Sequence, residues 1–224
     1  MISMGQRDYA VTSIHINEDF YEQAIIEYFT SLLGYEYLHG PDVMRTSEKY
    51  ADVFIPEVLS VALRKINPGL SARAIQEAII KLNDIETGKL EIRNERFNDY
   101  LQSGVEVRYF DGKQDRDDIV YLLDYKNPEN NVFHVVNQWT FVEYSEKRPD
   151  VIVFVNGMPL VMFELKSPSR EETDASDAYL QLRNYMQHIP SLFVPNVFCV
   201  MSDMADTRVG TITATEDRFI EWKC

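Results

Sequence analysis

Arg148-Pro-Asp-Val-Ile-Val-Phe-Val-Asn-Gly-Met-Pro-Leu-Val-Met-Phe-Glu-Leu-Lys166 is the stretch whose reading decides the fold. Two apolar runs, Val151–Val155 and Leu160–Leu165, flank Asn156-Gly157, a dipeptide that strongly favours a tight hairpin turn. Both runs are apolar at consecutive positions, so both faces of each strand are covered and the hairpin belongs in the middle of a sheet. Charge enters only at its open end. Asp150 begins the first strand, and Glu164 and Lys166 finish the second. Residues two apart on a strand share a face, so Glu164 and Lys166 point the same way. Charge at the end of such strands is costly unless it is paired or holds a metal.

Register decides whether Asp150 joins them. A strict two-residue turn pairs Val155 with Met158 and Asp150 with Phe163, which sends Asp150 and Glu164 to opposite faces. One extra residue restores them to the same face. The expectation is a bulge at Gly157, pairing Phe154 with Met158 and Asp150 with Met162.

Outward from the hairpin, the pattern is helices first and strands later. Glu18–Leu33 carries Phe20, Ala24, Ile25, Tyr28, Phe29 and Leu32 at helical spacing, with Asn17 as N-cap and Gly34 as stop. Glu48–Ile66 and Ser71–Leu82 read as helices split by Asn67-Pro-Gly69, with Pro56 kinking or restarting the first. Glu86–Asp99 is polar and partly helical. From Gly104 the period shortens: Val105–Tyr109, Ile119–Leu123, Val132–Val136 and Thr140–Tyr144 read as strands. After the hairpin come a helix over Ser176–His188 ended by Pro190, and strands over Asn196–Met201 and Arg208–Thr213. The fold class is therefore α/β, a mixed central sheet flanked by helices. Residues 1–224 form one domain, with 1–100 mainly helical and 104–213 the sheet core. Phe219, Ile220 and Trp222 near the end suggest a fragment of a longer chain.

Composition narrows the function. With 45% hydrophobic residues the chain has material for a sizeable core. No apolar run approaches the roughly 20 residues of a membrane span, and no signal-peptide h-region opens the chain. Cys199 and Cys224 have no paired spacing, which argues against a disulfide framework or zinc site and for a reducing, cytoplasmic setting. The 22 Lys+Arg against 36 Asp+Glu give a net charge of −14. That excludes a protein that holds nucleic acid by surface charge alone. It leaves one that cleaves through a metal, or one part of an assembly whose other parts hold the DNA.

The hairpin end suits the first case. Mg²⁺ takes oxygen ligands, and Asp150, Glu164 and the Leu165 carbonyl would supply three. Such an ion acidifies water and offsets phosphate charge. Lys166 would orient the water or stabilise developing negative charge. A Glu-x-Lys pair is usually a surface pair, but the apolar residues around this one speak against that. Gln181 and Tyr185, four apart on a helix, share a face. Taken alone they are a polar edge and a core aromatic, and Glu22 alone is a helix-start acid favoured by the macrodipole.

Together these residues have a familiar form. Pro149-Asp150, Glu164-Leu-Lys166 and Gln181-Leu-Arg-Asn-Tyr185 resemble the PD-(D/E)xK nuclease signature with the QxxxY motif of its RecB-like branch. With Arg93–Asn98, Asn127–Asn130, Val136-Asn-Gln138, Arg148–Ser167, Gln181–Phe193 and Arg208–Thr211 in order, the chain resembles the N-terminal nuclease domain of the restriction (R) subunit of type I restriction–modification enzymes. The resemblance covers most of the chain and implies a restriction-endonuclease-like fold. It implies Asp150 and Glu164 as metal ligands, Lys166 as catalytic lysine, Glu22 as a further metal-site acid, and Gln181 and Tyr185 as support for DNA and the active site. It further implies Mg²⁺-dependent cleavage of double-stranded DNA, with Mn²⁺ able to stand in, and methylation (M) and specificity (S) subunits as partners. The ATP-dependent motor of such a subunit would lie outside this chain. No Gly-x-x-x-x-Gly-Lys-[Ser/Thr] loop occurs here, so ATP hydrolysis is not expected of it. A catalytically silent docking domain and a free-standing structure-specific nuclease are the rival readings.

Overall fold

The computed structural model describes residues 18–46, 50–85, 88–166, 175–203 and 206–222. Seven strands form a mixed sheet: β1 (Glu36–His39), β4 (Phe133–Asn137), β7 (Val151–Val155), β8 (Met158–Leu165), β9 (Phe198–Ser202), β10 (Thr207–Gly210) and β11 (Ile220–Glu221), adjacent in that order. β1 runs parallel to β4 and β8 parallel to β9, and the other neighbours are antiparallel. Two small hairpins complete the strands, β2 (Val105–Phe110) with β3 (Asp115–Val120) and β5 (Phe141–Val142) with β6 (Glu146–Lys147). This is the mixed α/β architecture read from the sequence, consistent with a restriction-endonuclease-like fold.

The hairpin β7–β8 occupies the centre, as apolarity on both faces requires. Ile152, Phe154 and Met162 pack under α5 (Ala175–His188), against Ala178, Leu182 and Tyr185. Val151 and Leu165 face the other way, against Tyr21 and Ile26 of α1 (Glu18–Ser31). Each residue at the open end of the hairpin therefore has a defined side. A second core lies at the turn end of the hairpin, where Met158 and Leu160 join α2 (Pro56–Ile66), α3 (Ala72–Asn83), α4 (Leu90–Ser103) and β2–β3.

The turn couples the two cores. Asn156 and Gly157 both have positive φ, 52° and 79°, as the tight primed hairpin turn requires. Gly157 also has no room for a side chain: a Cβ there would stand 2.8 Å from both Ile55 O and Leu59 N at the start of α2. Asn156 is fully buried. Its Oδ1 accepts from Val132 N at 2.8 Å, and its Nδ2 donates to Leu122 O and to Asn131 Oδ1, each at 2.9 Å.

That clamp corrects the expected register. The turn is strictly two residues, with Val155 opposite Met158 and Phe154 opposite Pro159. The extra residue is Leu160 on β8, not Gly157, because the pairing resumes as Val153 opposite Val161 and Val151 opposite Phe163. The next step along that register sets Asp150 opposite Glu164 rather than Met162. The two carboxylates share a face, as the bulge argument demands, but by an insertion three residues further on. Leu160 is held there by its buried side chain and by its carbonyl, which accepts from Val197 N at 2.8 Å.

Other boundaries moved for local reasons. Pro56 begins α2 instead of kinking a longer helix, since its missing N–H costs nothing in a first turn. Ser71 caps α3, its side chain accepting from Ala74 N at 3.2 Å. β3 lies on the acidic Asp115–Val120 rather than on Ile119–Leu123. Cross-strand partners hold it: Arg108 faces Asp117, and Tyr109 Oη donates to Asp118 at 2.8 Å. β1, from the largely helical first hundred residues, is an edge of the sheet, and β11 was not anticipated. Asn17, Glu48, Ser167 and Pro168 lie outside the described residues. Among the described residues, no helix is long and apolar enough to cross a membrane.

Candidate active site

The charged groups converge at the end of β7–β8 away from the turn, on the face covered by α5. Asp150 Oδ2 accepts from Leu165 N at 2.7 Å, a charge-assisted bond that fixes the carboxylate against the opposite strand. Glu164 is only 2% exposed. Its Oε1 takes the Lys166 ammonium at 2.5 Å, across the two-residue spacing that puts both on one face. Its Oε2 is buried and has no hydrogen-bond partner among the described residues. Burial, reinforced by the Asp150 charge and only partly offset by Lys166, pushes the Glu164 carboxyl up to about 8. An arrangement that buries one acid beside a second, half-buried acid and an ammonium has the oxygen donors a divalent cation would complete.

α5 closes this face. Tyr185, 4% exposed, stands beside Glu164, its hydroxyl donating to Arg148 O at 3.4 Å, with Gln181 one turn earlier on the same helix. Burial, and next the Glu164 charge, raise its phenol above the ordinary range. Asp150, Glu164, Lys166, Gln181 and Tyr185 thus form one group. Leu165 joins through its backbone amide, while its side chain enters the core beneath α1.

Glu22 is placed differently. It sits in the first turns of α1, 9% exposed, and its Oε1 accepts from Asn137 Nδ2 at 2.6 Å. Asn137 ends β4 directly opposite Val151, one residue from Asp150. Tyr37 of β1 donates its hydroxyl to Asn137 Oδ1 at 2.8 Å. Among the described residues, no group of three or more His, Cys, Asp or Glu is gathered closely enough to hold a metal by itself, so the structure does not bring Glu22 together with Asp150 and Glu164. Asn137 and Tyr37 were given no individual role by the sequence. Their only signal was Asn137 as the polar end of the apolar run Val135-Val136, inside one of the resembling blocks.

α1 is tied down on the opposite side of the hairpin as well. Tyr21 Oη and Ser202 Oγ of β9 are 2.6 Å apart, and Ser202 O accepts from Lys166 N at 2.8 Å. Neighbouring residues of one helix turn therefore reach strands on either side of β7–β8.

Comparison with known proteins is consistent across nearly the whole chain. The family model described as type I restriction enzyme R protein N terminus matches residues 15–218. The type I restriction enzyme HindI endonuclease subunit of Haemophilus influenzae is 36% identical over 215 residues, 93% of this chain and 20% of that protein. A subunit of Methanocaldococcus jannaschii, provisionally named as the type I restriction enzyme MjaIXP endonuclease subunit, is 32% identical over 216 residues, 93% of this chain and 20% of that protein. The type I restriction enzyme EcoprrI endonuclease subunit of Escherichia coli is 27% identical over 217 residues, covering 94% and 64%. The chain thus spans about a fifth of the length of the first two relatives.

Proposed function

The chain belongs to the family of type I restriction enzyme R protein N termini, and from that premise we propose that it is the endonuclease domain of such a subunit. Its reaction is Mg²⁺-dependent hydrolysis of phosphodiester bonds in double-stranded DNA. In the full-length subunit this is coupled to ATP-driven DNA translocation, and M and S subunits supply site recognition. The observation that carries the reading is the convergence of buried Glu164 with Asp150 and Lys166 at one end of the central hairpin.

Asp150, Glu164 and the Leu165 carbonyl would hold the Mg²⁺, with Glu22 as a flanking carboxylate. Bound there, the ion would supply an acidified water and offset charge on the scissile phosphate. Lys166 keeps its ammonium beside that position through Glu164, where it can orient the attacking water and stabilise the negative charge that develops. Tyr185 and Gln181 wall the site from the α5 side and shield Glu164 from solvent. The acidic surface implies that the motor and partner subunits hold most of the DNA, because −14 opposes unaided binding to a polyanion.

The test is cleavage of circular plasmid by the assembled enzyme with Mg²⁺ and ATP. Lys166→Ala should abolish double-strand cleavage and leave ATP-driven translocation intact. Retained cleavage would remove Lys166 from the mechanism. A wild-type complex that translocates without cutting would leave a docking role in place of a nuclease.

A further inference from the structure

Arg148 is an exposed cation at the rim of the candidate site, two residues before Asp150 and joined to it through buried Pro149. A residue that precedes proline is confined to extended backbone, so the Arg148 and Asp150 Cα atoms stand about 6–7 Å apart along the chain. The Arg148 carbonyl accepts from the Tyr185 hydroxyl at 3.4 Å, and Tyr185 stands beside Glu164. That bond ties the backbone of Arg148 to the α5 wall of the site and fixes where its side chain begins. Among the described residues, Arg148 enters no ion pair. The two neighbouring acids are already engaged: Asp150 Oδ2 accepts from Leu165 N, and Glu164 Oε1 takes the Lys166 ammonium. Lys166, with its side chain 17% exposed, is committed to the reacting centre, whereas the guanidinium of Arg148 is open to solvent. In a chain of net charge −14, an exposed arginine at this position supplies local attraction for a polyanion where it is most needed.

We propose that Arg148 is a DNA-contacting residue that grips a backbone phosphate next to the scissile one. The inference rests on the nuclease reading and deepens it by naming a residue that holds the substrate strand. The scissile phosphate would meet the cation at Asp150 and Glu164, and the guanidinium, starting two residues upstream, would meet a neighbour on the same strand. Arginine suits this task because its planar fork matches two phosphate oxygens at once. Held at a second phosphate, the strand presents the scissile group in one position, which is worth rate as well as affinity. Such a contact positions DNA without reading its sequence, as expected of a domain whose site recognition lies elsewhere.

The experiment follows cleavage of circular plasmid by the assembled enzyme with Mg²⁺ and ATP, from about 50 to about 200 mM KCl. Arg148→Gln should cut about 10-fold more slowly, the scale of one charge-assisted hydrogen bond, while translocation keeps the wild-type rate. Plotted as log rate against log salt, its slope should be shallower than that of wild type by about one, the mark of one lost phosphate contact. Arg148→Lys keeps the charge and should keep the slope. Tyr185 bonds the Arg148 carbonyl, which both variants retain, so a purely structural role would leave the slope unmoved. Lys65→Gln removes the same charge from an exposed position on α2, at the turn end of the hairpin, and should alter neither rate nor slope. Mn²⁺ affinity of the chain without DNA, read by electron paramagnetic resonance of free Mn²⁺, should not fall in Arg148→Gln. An unchanged slope in Arg148→Gln, an equal effect of Lys65→Gln, or weakened Mn²⁺ binding would each overturn the proposal. If wild type cuts and Arg148→Gln cuts as fast with the same slope, only the role of Arg148 fails. If wild type translocates without cutting, the nuclease reading fails and this proposal with it.

Discussion

Replacing Glu164 with glutamine should make the metal-free chain more stable at alkaline pH and leave it nearly unchanged at acidic pH. The folded chain holds the Glu164 proton up to about pH 8, because burial and Asp150 disfavour the anion, against an ordinary value of 4.5. Between those limits the folded state binds more protons than the unfolded chain, so stability falls as pH rises through the window. At about 1.4 kcal/mol per pKa unit, the full penalty for ionising Glu164 is on the order of 5 kcal/mol. Glutamine has the shape of the protonated acid and does not titrate. It forfeits the charge on Lys166, whose side chain is 17% exposed and can turn partly to water. The net gain should therefore be smaller, about 3 kcal/mol.

The assay is urea unfolding of wild type and Glu164→Gln, without divalent ions, at pH 5 and pH 8.5. The curves should agree within about 1 kcal/mol at pH 5 and separate by about 3 kcal/mol at pH 8.5, the variant being the more stable. Because other acids titrate equally in both chains, the difference isolates Glu164. Parallel pH profiles would refute the argument, since they would mean that Glu164 ionises in the fold at no cost. The unsatisfied Oε2 would then need another explanation.

Mg²⁺ should reverse the same penalty: at one fixed concentration, 100 times the wild-type dissociation constant at pH 8, it should stabilise wild type by about 2.7 kcal/mol at pH 8, less at pH 6, and stabilise Glu164→Gln less at either pH, as read by thermal shift. Asn156→Ala should cost about 3–4 kcal/mol in unfolding free energy, from three side-chain hydrogen bonds at roughly 1 kcal/mol each and the left-handed backbone, while Asn156→Gly, free of the backbone strain, should cost about 1 kcal/mol less. Equal losses in the two variants would show that φ at this position carries no penalty. Ser71→Ala should lower stability by about 1 kcal/mol through loss of the α3 cap without altering Mn²⁺ affinity, a control for variants that act only on the fold.

Much of this site is legible in the sequence because its logic is binary. The apolar runs of Val151–Val155 and Leu160–Phe163 fix a central hairpin, and the face of each residue then follows from alternation once the register is known. Glu22 is legible only through family resemblance. Its companion Asn137 comes from a strand remote from α1 in sequence, and no local pattern couples a strand-end asparagine to a helix acid 115 residues away. β3 was misplaced because propensity favours Ile119–Leu123, whereas the register chosen pairs Arg108 with Asp117 and buries Val120 against Val105. The charge ladder on one side and the small second core on the other outweigh intrinsic preference.

The hairpin shows why a constraint can be predicted and its execution missed. Bringing Asp150 and Glu164 to one face requires an odd correction to the two-residue register, and parity is indifferent to where the extra residue falls. An insertion at Gly157 and one at Leu160 satisfy it equally. What separates them lies outside the hairpin. Asn156 is gripped by Val132, Leu122 and Asn131, and Gly157 is pressed against the start of α2, so the turn cannot open to a third residue. The irregularity is displaced to the first place where it is supported, at Leu160, whose side chain enters the second core and whose carbonyl binds Val197. The outcome also matters chemically. A bulge at Gly157 would have set Asp150 opposite Met162, one diagonal step from Glu164. The bulge at Leu160 sets the acids directly opposite each other, near enough for Asp150 to raise the Glu164 pKa. The helical lobe at the turn end thus acts on the candidate site at the other end of the same two strands. It does so by fixing the register through which the carboxylates meet.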